Sequence, residues 1–366
     1  MQQNYSAQKI FTGERWIEDA VIITEDGIVI EIIPKEKTDA SMPLIDFGNA
    51  LIVPAFIDLQ IYGANKKLLA VYPTVDALQD LYEYCKEGGA VLFQPTLATN
   101  TFDVFYRGID AVREYWKQEK KGVIGLHLEG PWLNQEKSGA HPKELIHTPS
   151  LKETEELLEY GKGVITMITI APEVCSNEVI ELIQSYGIVI SAGHSNASYD
   201  EAMAAFSKGT SAITHLYNAM SGLQHRAPGL VGAAFTHDMV KGSIIPDGQH
   251  VDYAAIKIAV RLMKERLFVI TDAVTETTEG YYHHQFENDK YSCDGILSGS
   301  SLTMHQGFLN LVRQVNVPME DAIKMCSLYP AQLMGLAGQY GKIAPGYTAQ
   351  FLVLDDQLNL KKVIIS

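Results

Sequence analysis

The chain has 366 residues, 46% hydrophobic and 20% charged, the balance of a soluble globular protein with room for one large domain and one small one. A formal net charge of −15 argues against non-specific binding to nucleic acid or to an anionic membrane surface, and an anionic small molecule would need its own cationic pocket. The longest apolar stretches, such as the one from Leu51 to Leu59, are broken by Pro54 and Asp58 and are too short to span a bilayer, and the segment from Met1 to Ile10 has no apolar signal core.

In chain order, the first fifty residues predict short strands and turns. Residues 20–24 are apolar and β-branched, Asp26-Gly27 is a turn signal, and residues 28–33 form a second strand. The pattern then changes to short apolar runs alternating with amphipathic helical stretches. Strands are expected at 51–57, 91–94, 123–128, 165–170, 189–192, 212–215, 243–246 and 267–271, with helices at 75–87, 101–119, 176–186, 199–208 and 253–264. Eight strands alternating with helices over about 270 residues match a parallel (β/α)8 barrel. A doubly wound open sheet competes, but no G-x-G-x-x-G follows an early strand. The tail returns to β character after Gly341-Lys342-Ile343-Ala344-Pro345-Gly346, with apolar runs at 351–354 and 363–365. The expected organisation is a barrel over 51–335, with segments 1–50 and 336–366 meeting as one small β domain. Cys85, Cys175, Cys293 and Cys326 are scattered, without a Cys-x-x-Cys pair, and read as buried apolar residues of a reduced, cytoplasmic protein.

The chemistry-bearing residues sit where predicted strands end: Glu129 after 123–128, His194 after 189–192, His215 at the end of 212–215 and Asp272 after 267–271. In a barrel these ends open onto one face, so the four would converge. Two imidazoles and a carboxylate make a three-ligand set for a catalytic divalent metal with a position left for water. Taken singly, each is as readily a hydrogen-bonded structural residue; their coincidence points to a site. His127 lies two residues before Glu129, on the same face of its strand, as a fourth ligand or, more in keeping with its place, a partner behind the ligands. His147, His237, His283, His284 and His305 lack such company and read as ordinary residues. Arg226, in His225-Arg226-Ala227-Pro228-Gly229, reads by itself as a surface loop residue.

Six ordered motifs carry a resemblance. They are His127-Leu-Glu129-Gly-Pro-Trp132, Ser191-Ala-Gly-His194-Ser195-Asn196-Ala197, Thr214-His215-Leu216-Tyr217-Asn218-Ala219-Met220, Asp247-Gly-Gln-His250-Val-Asp252, Thr271-Asp272-Ala273 and Leu297-Ser-Gly-Ser-Ser-Leu-Thr303. Together they resemble the N-acetylglucosamine-6-phosphate deacetylase family of the amidohydrolase superfamily, in order from Pro54-Ala-Phe-Ile-Asp58 to the segment around Pro345. The resemblance implies metal ligation by Glu129, His194 and His215, with Asp272 as general base and then acid. It implies that His250, in its motif with Asp247, polarises the amide carbonyl. Ala140, His141, Asn218, Ala219, Arg226, Leu297, Ser298 and Gly299 would line the sugar phosphate. In this family the arginine matching Arg226 reaches the neighbouring subunit's ligand, which implies a homodimer.

The chain departs from the pattern after the first barrel strand. Many amidohydrolases carry His-x-His there for a second metal; here the positions read Gln60-Ile61-Tyr62. An amide and a phenol are poor ligands for a zinc-like ion, so one metal is expected. Single-metal members have Gln-x-Asn, which Gln60 matches and Tyr62 does not. The glycine-rich loop that follows is altered to Gly63-Ala64-Asn65-Lys66-Lys67. Zinc suits the ligand set, as do iron, cobalt and manganese. Two other readings keep part of this picture: a deaminase or cyclic amidase on the same barrel, and a non-catalytic sugar-phosphate sensor. The set around Asn218, Arg226 and His250 argues against the first, and the complete ligand set with Asp272 against the second.

Overall fold

In the computed structural model, which describes residues 2–38, 43–118, 120–288 and 290–365, the chain folds as a parallel barrel with a terminal β-sheet beside it. The barrel strands, labelled here in chain order, are β1 (Phe56–Ile61), β2 (Ala90–Ala98), β3 (Leu126–Glu129), β4 (Ile165–Ile170), β5 (Val189–Ala192), β6 (Ala212–Ile213), β7 (Lys241–Ile244) and β8 (Leu267–Val269). Each pairs in parallel with the next. The ring closes where the chain past β8 meets the end of β1. There Tyr62 N–H donates to Ala273 O at 2.9 Å and Asp272 N–H donates to Gln60 O at 2.9 Å. These bonds bring the chain past β8 against the end of β1 and leave the barrel nearly closed.

The helices between the strands start where a hydroxyl can satisfy their first free amides. Thr74 caps Val75–Glu87, Ser176 caps Asn177–Ser185, and Ser198 forms a capping box with Glu201 ahead of Tyr199–Ser207. Their apolar faces close over the outside of the barrel in one continuous core. Among the described residues no helix is long and apolar enough to cross a membrane.

Both chain ends enter one seven-stranded sheet. It runs Leu360–Ile365, Gln350–Leu354, Leu51–Pro54, Gln2–Phe11, Trp16–Glu25, Ile28–Pro34, with Leu44–Asp46 paired beside Gln2–Phe11. Its own core gathers Tyr5, Ile10, Ile22, Ile52 and Phe351. The expected strand at 51–57 is therefore two strands. Leu51–Pro54 joins the terminal sheet and Phe56–Ile61 the barrel, with Ala55 between them. Periodicity could not divide them, because both halves are buried. The expected helix at 101–119 is observed as Phe102–Lys117, and its last residue, Glu119, lies outside the described residues. Not foreseen was a three-stranded antiparallel sheet after β8, built of His284–Glu287, Lys290–Cys293 and Ile296–Leu297.

Candidate active site

Four side chains meet at the C-terminal mouth of the barrel. Glu129 is the last residue of β3; His194, His215 and Asp272 follow β5, β6 and β8 within three residues. The last three occupy the left-handed region, with φ of 47°, 37° and 55°. Few L-residues adopt that conformation, and it clusters at functional sites where surrounding structure holds it in place. All four are buried, at 2%, 5%, 5% and 7% exposure.

His215 Nε2 lies 3.1 Å from Glu129 Oε1 and 3.1 Å from His194 Nε2. His194 Nε2 lies 3.4 Å from the same carboxylate oxygen. His194 Nδ1–H donates to Lys137 O at 2.8 Å, which leaves its Nε2 lone pair directed into this cluster. Three donor atoms at such separations fit the edges of a tetrahedron about one small cation. Bonds of about 2.0–2.1 Å to zinc give edges of roughly 3.3 Å. The residues present therefore fit the metal that the sequence implies.

His141 was expected on the sugar phosphate. The structure places its Nε2 3.2 Å from Glu129 Oε2, while its Nδ1 lies 2.7 Å from Thr99 Oγ1. Glu129, His141 and His194 also offer ligand atoms within 4.8 Å of one another. His215 makes the tighter set, because it shares Oε1 with His194 whereas His141 approaches the other oxygen.

Gln60 and Tyr62 fill the space beside the cluster. Gln60 Nε2 donates toward Asp272 Oδ1 at 2.8 Å, Glu129 Oε1 at 3.1 Å and the Tyr62 hydroxyl at 2.6 Å. Tyr62 OH in turn donates to Glu129 Oε2 at 2.5 Å. Neither is placed as a ligand; both are donors that hold the carboxylates. His127 also stays out of the cluster, its Nε2 bonded to Thr169 Oγ1 at 2.7 Å. Thr169 continues to Thr214 at 2.7 Å and Thr214 to Ser191 at 2.6 Å, a polar floor beneath the site.

Charge follows the geometry. Burial works to raise the Glu129 carboxyl, but the imidazoles of His141, His194 and His215 gathered on it outweigh that and hold the group well below the usual carboxylate range. Burial alone would lower His215; the Glu129 carboxylate reverses that and raises it. Burial pushes Asp272 up, with Glu129 adding to the rise and His215 opposing it. A carboxyl raised this way holds a proton more readily than an ordinary aspartate, which favours its acting in proton transfer.

The cavity above these residues measures about 320 Å³. The amidohydrolase family model matches residues 51–366. Over 94% of this chain and 93% of its own length, N-acetylglucosamine-6-phosphate deacetylase of Haemophilus influenzae is 33% identical. The human protein of that name is 33% identical over 98% of this chain and 91% of its own length. An N-acetylgalactosamine-6-phosphate deacetylase of Escherichia coli O157:H7 is 30% identical over 98% and 97%. The crystal structure of N-acetylglucosamine-6-phosphate deacetylase from Pasteurella multocida superposes with a TM-score of 0.95 at 30% identity, covering 100% of this chain and 98% of that one. The chain belongs to the N-acetylglucosamine-6-phosphate deacetylase family of amidohydrolases.

Most positions that the family resemblance marks line this cavity: Ala140, His141, Asn218, Ala219, His250, Leu297, Ser298 and Gly299. Asp247 stands behind His250, accepting from its Nδ1 at 2.6 Å and from its backbone N–H at 2.8 Å. Arg226 is exposed in a tight turn, where Gln224 and Ala227 exchange backbone hydrogen bonds of 3.1 and 3.2 Å, and it is outside the cavity of its own chain. Much of the wall escaped the sequence reading: Leu68, Ala98, Val274 and Tyr282 on its apolar part, and two basic residues. His284, taken as an ordinary residue, lines the cavity, its ring stacked on Tyr282. Lys137, in the loop after β3, lines it too. The rule that loops after barrel strands build the site could have found Lys137; nothing local marked His284.

Proposed function

We infer that this amidohydrolase removes the acetyl group from N-acetylglucosamine 6-phosphate, giving glucosamine 6-phosphate and acetate. The observation that carries the reading is the meeting of Glu129, His194 and His215 at 3.1–3.4 Å with Asp272 hydrogen-bonded into the same cluster through Gln60. Glu129, His194 and His215 would hold one divalent metal, zinc by ligand type. When bound, such an ion lowers the pKa of a water to about 7 and polarises the amide carbonyl.

The protein's own groups supply the rest. Gln60 occupies Asp272 Oδ1, which leaves Oδ2 as the oxygen open to the proton of the attacking water. Asp272 then passes that proton to the nitrogen as the C–N bond breaks, so the amine departs neutral. Asp247 fixes His250 through Nδ1, which presents Nε2 to the carbonyl oxygen as negative charge develops there. Lys137 lines the cavity, and its ammonium would meet the phosphate there. Arg226 projects outward and would complete the phosphate site of a neighbouring subunit in a homodimer. A cytoplasmic location agrees with a phosphorylated sugar substrate.

The test is a steady-state comparison of N-acetylglucosamine 6-phosphate with its unphosphorylated form. The phosphorylated sugar is expected to win in kcat/KM by roughly 100-fold or more, the worth of two charge-assisted hydrogen bonds. Arg226→Ala and Lys137→Met should each erase part of that preference through KM. Equal turnover of the two sugars would remove the cationic pocket from the account. Release of ammonia in place of acetate would favour the deaminase reading. The galactosamine epimer, assayed alongside, reports which sugar the cavity prefers.

A further inference from the structure

The cavity has two unlike sides. Asn218 and His250, from the loops after β6 and β7, give it a polar side, with Ala219 beside them. Around the ends of β1 and β2 and the chain past β8, Tyr62, Leu68, Ala98, Val274 and Tyr282 line it while packing on one another as a small apolar cluster separate from the barrel core. Both phenols are tied back by their hydroxyls, so that rings and not polar atoms form the wall. Tyr62 OH donates to Glu129 at 2.5 Å and Tyr282 OH donates to Thr99 O at 2.8 Å.

The altered loop after β1 contributes Leu68 to this wall. Gly63-Ala64 pairs antiparallel with Lys67-Leu68 across Asn65 and Lys66, which both have positive φ, 51° and 65°. That is a tight hairpin turn of the type-I′ kind. A Cβ at residue 63 would come within 2.8 Å of Lys67 O and 2.9 Å of Leu68 Cα, so glycine there permits the strands to close. The hairpin delivers Leu68 to the cavity and ties Lys67 to Asp80 at 2.8 Å.

A phosphorylated amino sugar presents hydroxyls and phosphate on its sugar side; its one apolar appendage is the acyl chain. A scissile carbonyl set between Asp272 and the metal-holding residues would send its nitrogen and its acyl chain to different sides of the cavity. With the sugar directed to β6 and β7, the acyl chain runs toward β1 and β2. A methyl group covers little of a wall made of five side chains. We propose that Tyr62, Leu68, Ala98, Val274 and Tyr282 form an acyl subsite that accepts N-propionyl and N-butyryl as well as N-acetyl amino-sugar phosphates. This rests on the deacetylase reading above and adds the class of acyl group removed.

The experiment measures amine release from N-acetyl-, N-propionyl- and N-butyrylglucosamine 6-phosphate by the metal-loaded protein. The longer chains are expected to match or exceed acetyl in kcat/KM, by up to roughly fourfold per methylene buried. Ala98→Leu, which fills the wall, should lower the butyryl-to-acetyl ratio at least about tenfold, and Leu68→Ala, which opens it, should raise that ratio. A ratio taken within one variant is insensitive to how much of it folds. If acetyl is released and kcat/KM falls with each added methylene, the subsite proposal is overturned while the deacetylase reading stands. If none of the three is cleaved, the deacetylase reading itself fails.

Discussion

At Glu129 three imidazoles, an amide and a phenol converge on two carboxylate oxygens. Oε1 is shared by His194 and His215, whereas Oε2 takes the Tyr62 hydroxyl and His141. This division assigns different work to the two oxygens, and substitutions should separate it. His215→Ala removes a ligand and is expected to abolish stoichiometric metal binding, read by elemental analysis of the purified protein. Tyr62→Phe leaves the ligand set whole but frees Oε2 from its 2.5 Å donor. Partners of this kind orient the ligand, and their loss typically costs about 10–100-fold in metal affinity. Competition with a chelator should show a weakening of that order; full retention at every chelator concentration would mean that Tyr62 only fills space. Tyr62 was visible in the sequence as a departure from the family pattern, but not as a donor. Its role depends on the closure of β1 against the chain past β8, which no local pattern records.

At the scale of elements, the strand-end rule located Glu129, His194, His215 and Asp272, because strand ends are set by local periodicity and barrel topology carries them to one face. It could not locate Tyr282 or His284. Their segment departs from the βα repeat, and its strands are short, with His284–Glu287 mostly exposed. Nor could alternation divide 51–57 between two sheets. Within β1, Asp58 is buried and accepts from Thr271 Oγ1 at 2.5 Å, Thr271 N–H at 3.2 Å and Gln60 N–H at 3.2 Å. Burial nonetheless raises its carboxyl to about 7 from an ordinary 3.8. Between those values the folded chain keeps a proton that the unfolded chain has released, so this group makes stability fall as pH climbs through that window. Asp58→Asn should remove that component: the urea midpoint of the parent, relative to the variant, should decline from pH 4.5 to 7. A difference constant with pH would show that Asp58 is ionised throughout. In the hairpin after β1, Gly63→Ala places a methyl against backbone atoms at 2.8 and 2.9 Å. A stability loss of about 1–3 kcal/mol is expected from thermal unfolding.

The whole molecule joins a net charge of −15 to a site that receives a phosphorylated sugar in the proposed reaction. Long-range steering is therefore unfavourable, and local cations must do the recruiting, which makes the phosphate preference a property of a few side chains rather than of the surface. Raising the ionic strength should accordingly increase or leave unchanged the apparent association of the phosphorylated substrate. The terminal sheet and the barrel share the chain at Ala55, and Trp16 Nε1–H reaches Glu320 Oε1 at 2.7 Å to link them. Trp16→Phe should lower stability without changing selectivity between acyl groups, since no part of that link touches the cavity. The central claim is that one metal-holding cluster and one carboxyl act together on an amide. Asp272→Asn, assayed for acetate release with metal content measured on the same sample, tests it most directly. One metal per chain with turnover reduced by roughly 10²–10⁴-fold is the expected result; a variant that keeps the metal and releases acetate as fast as the parent would contradict it.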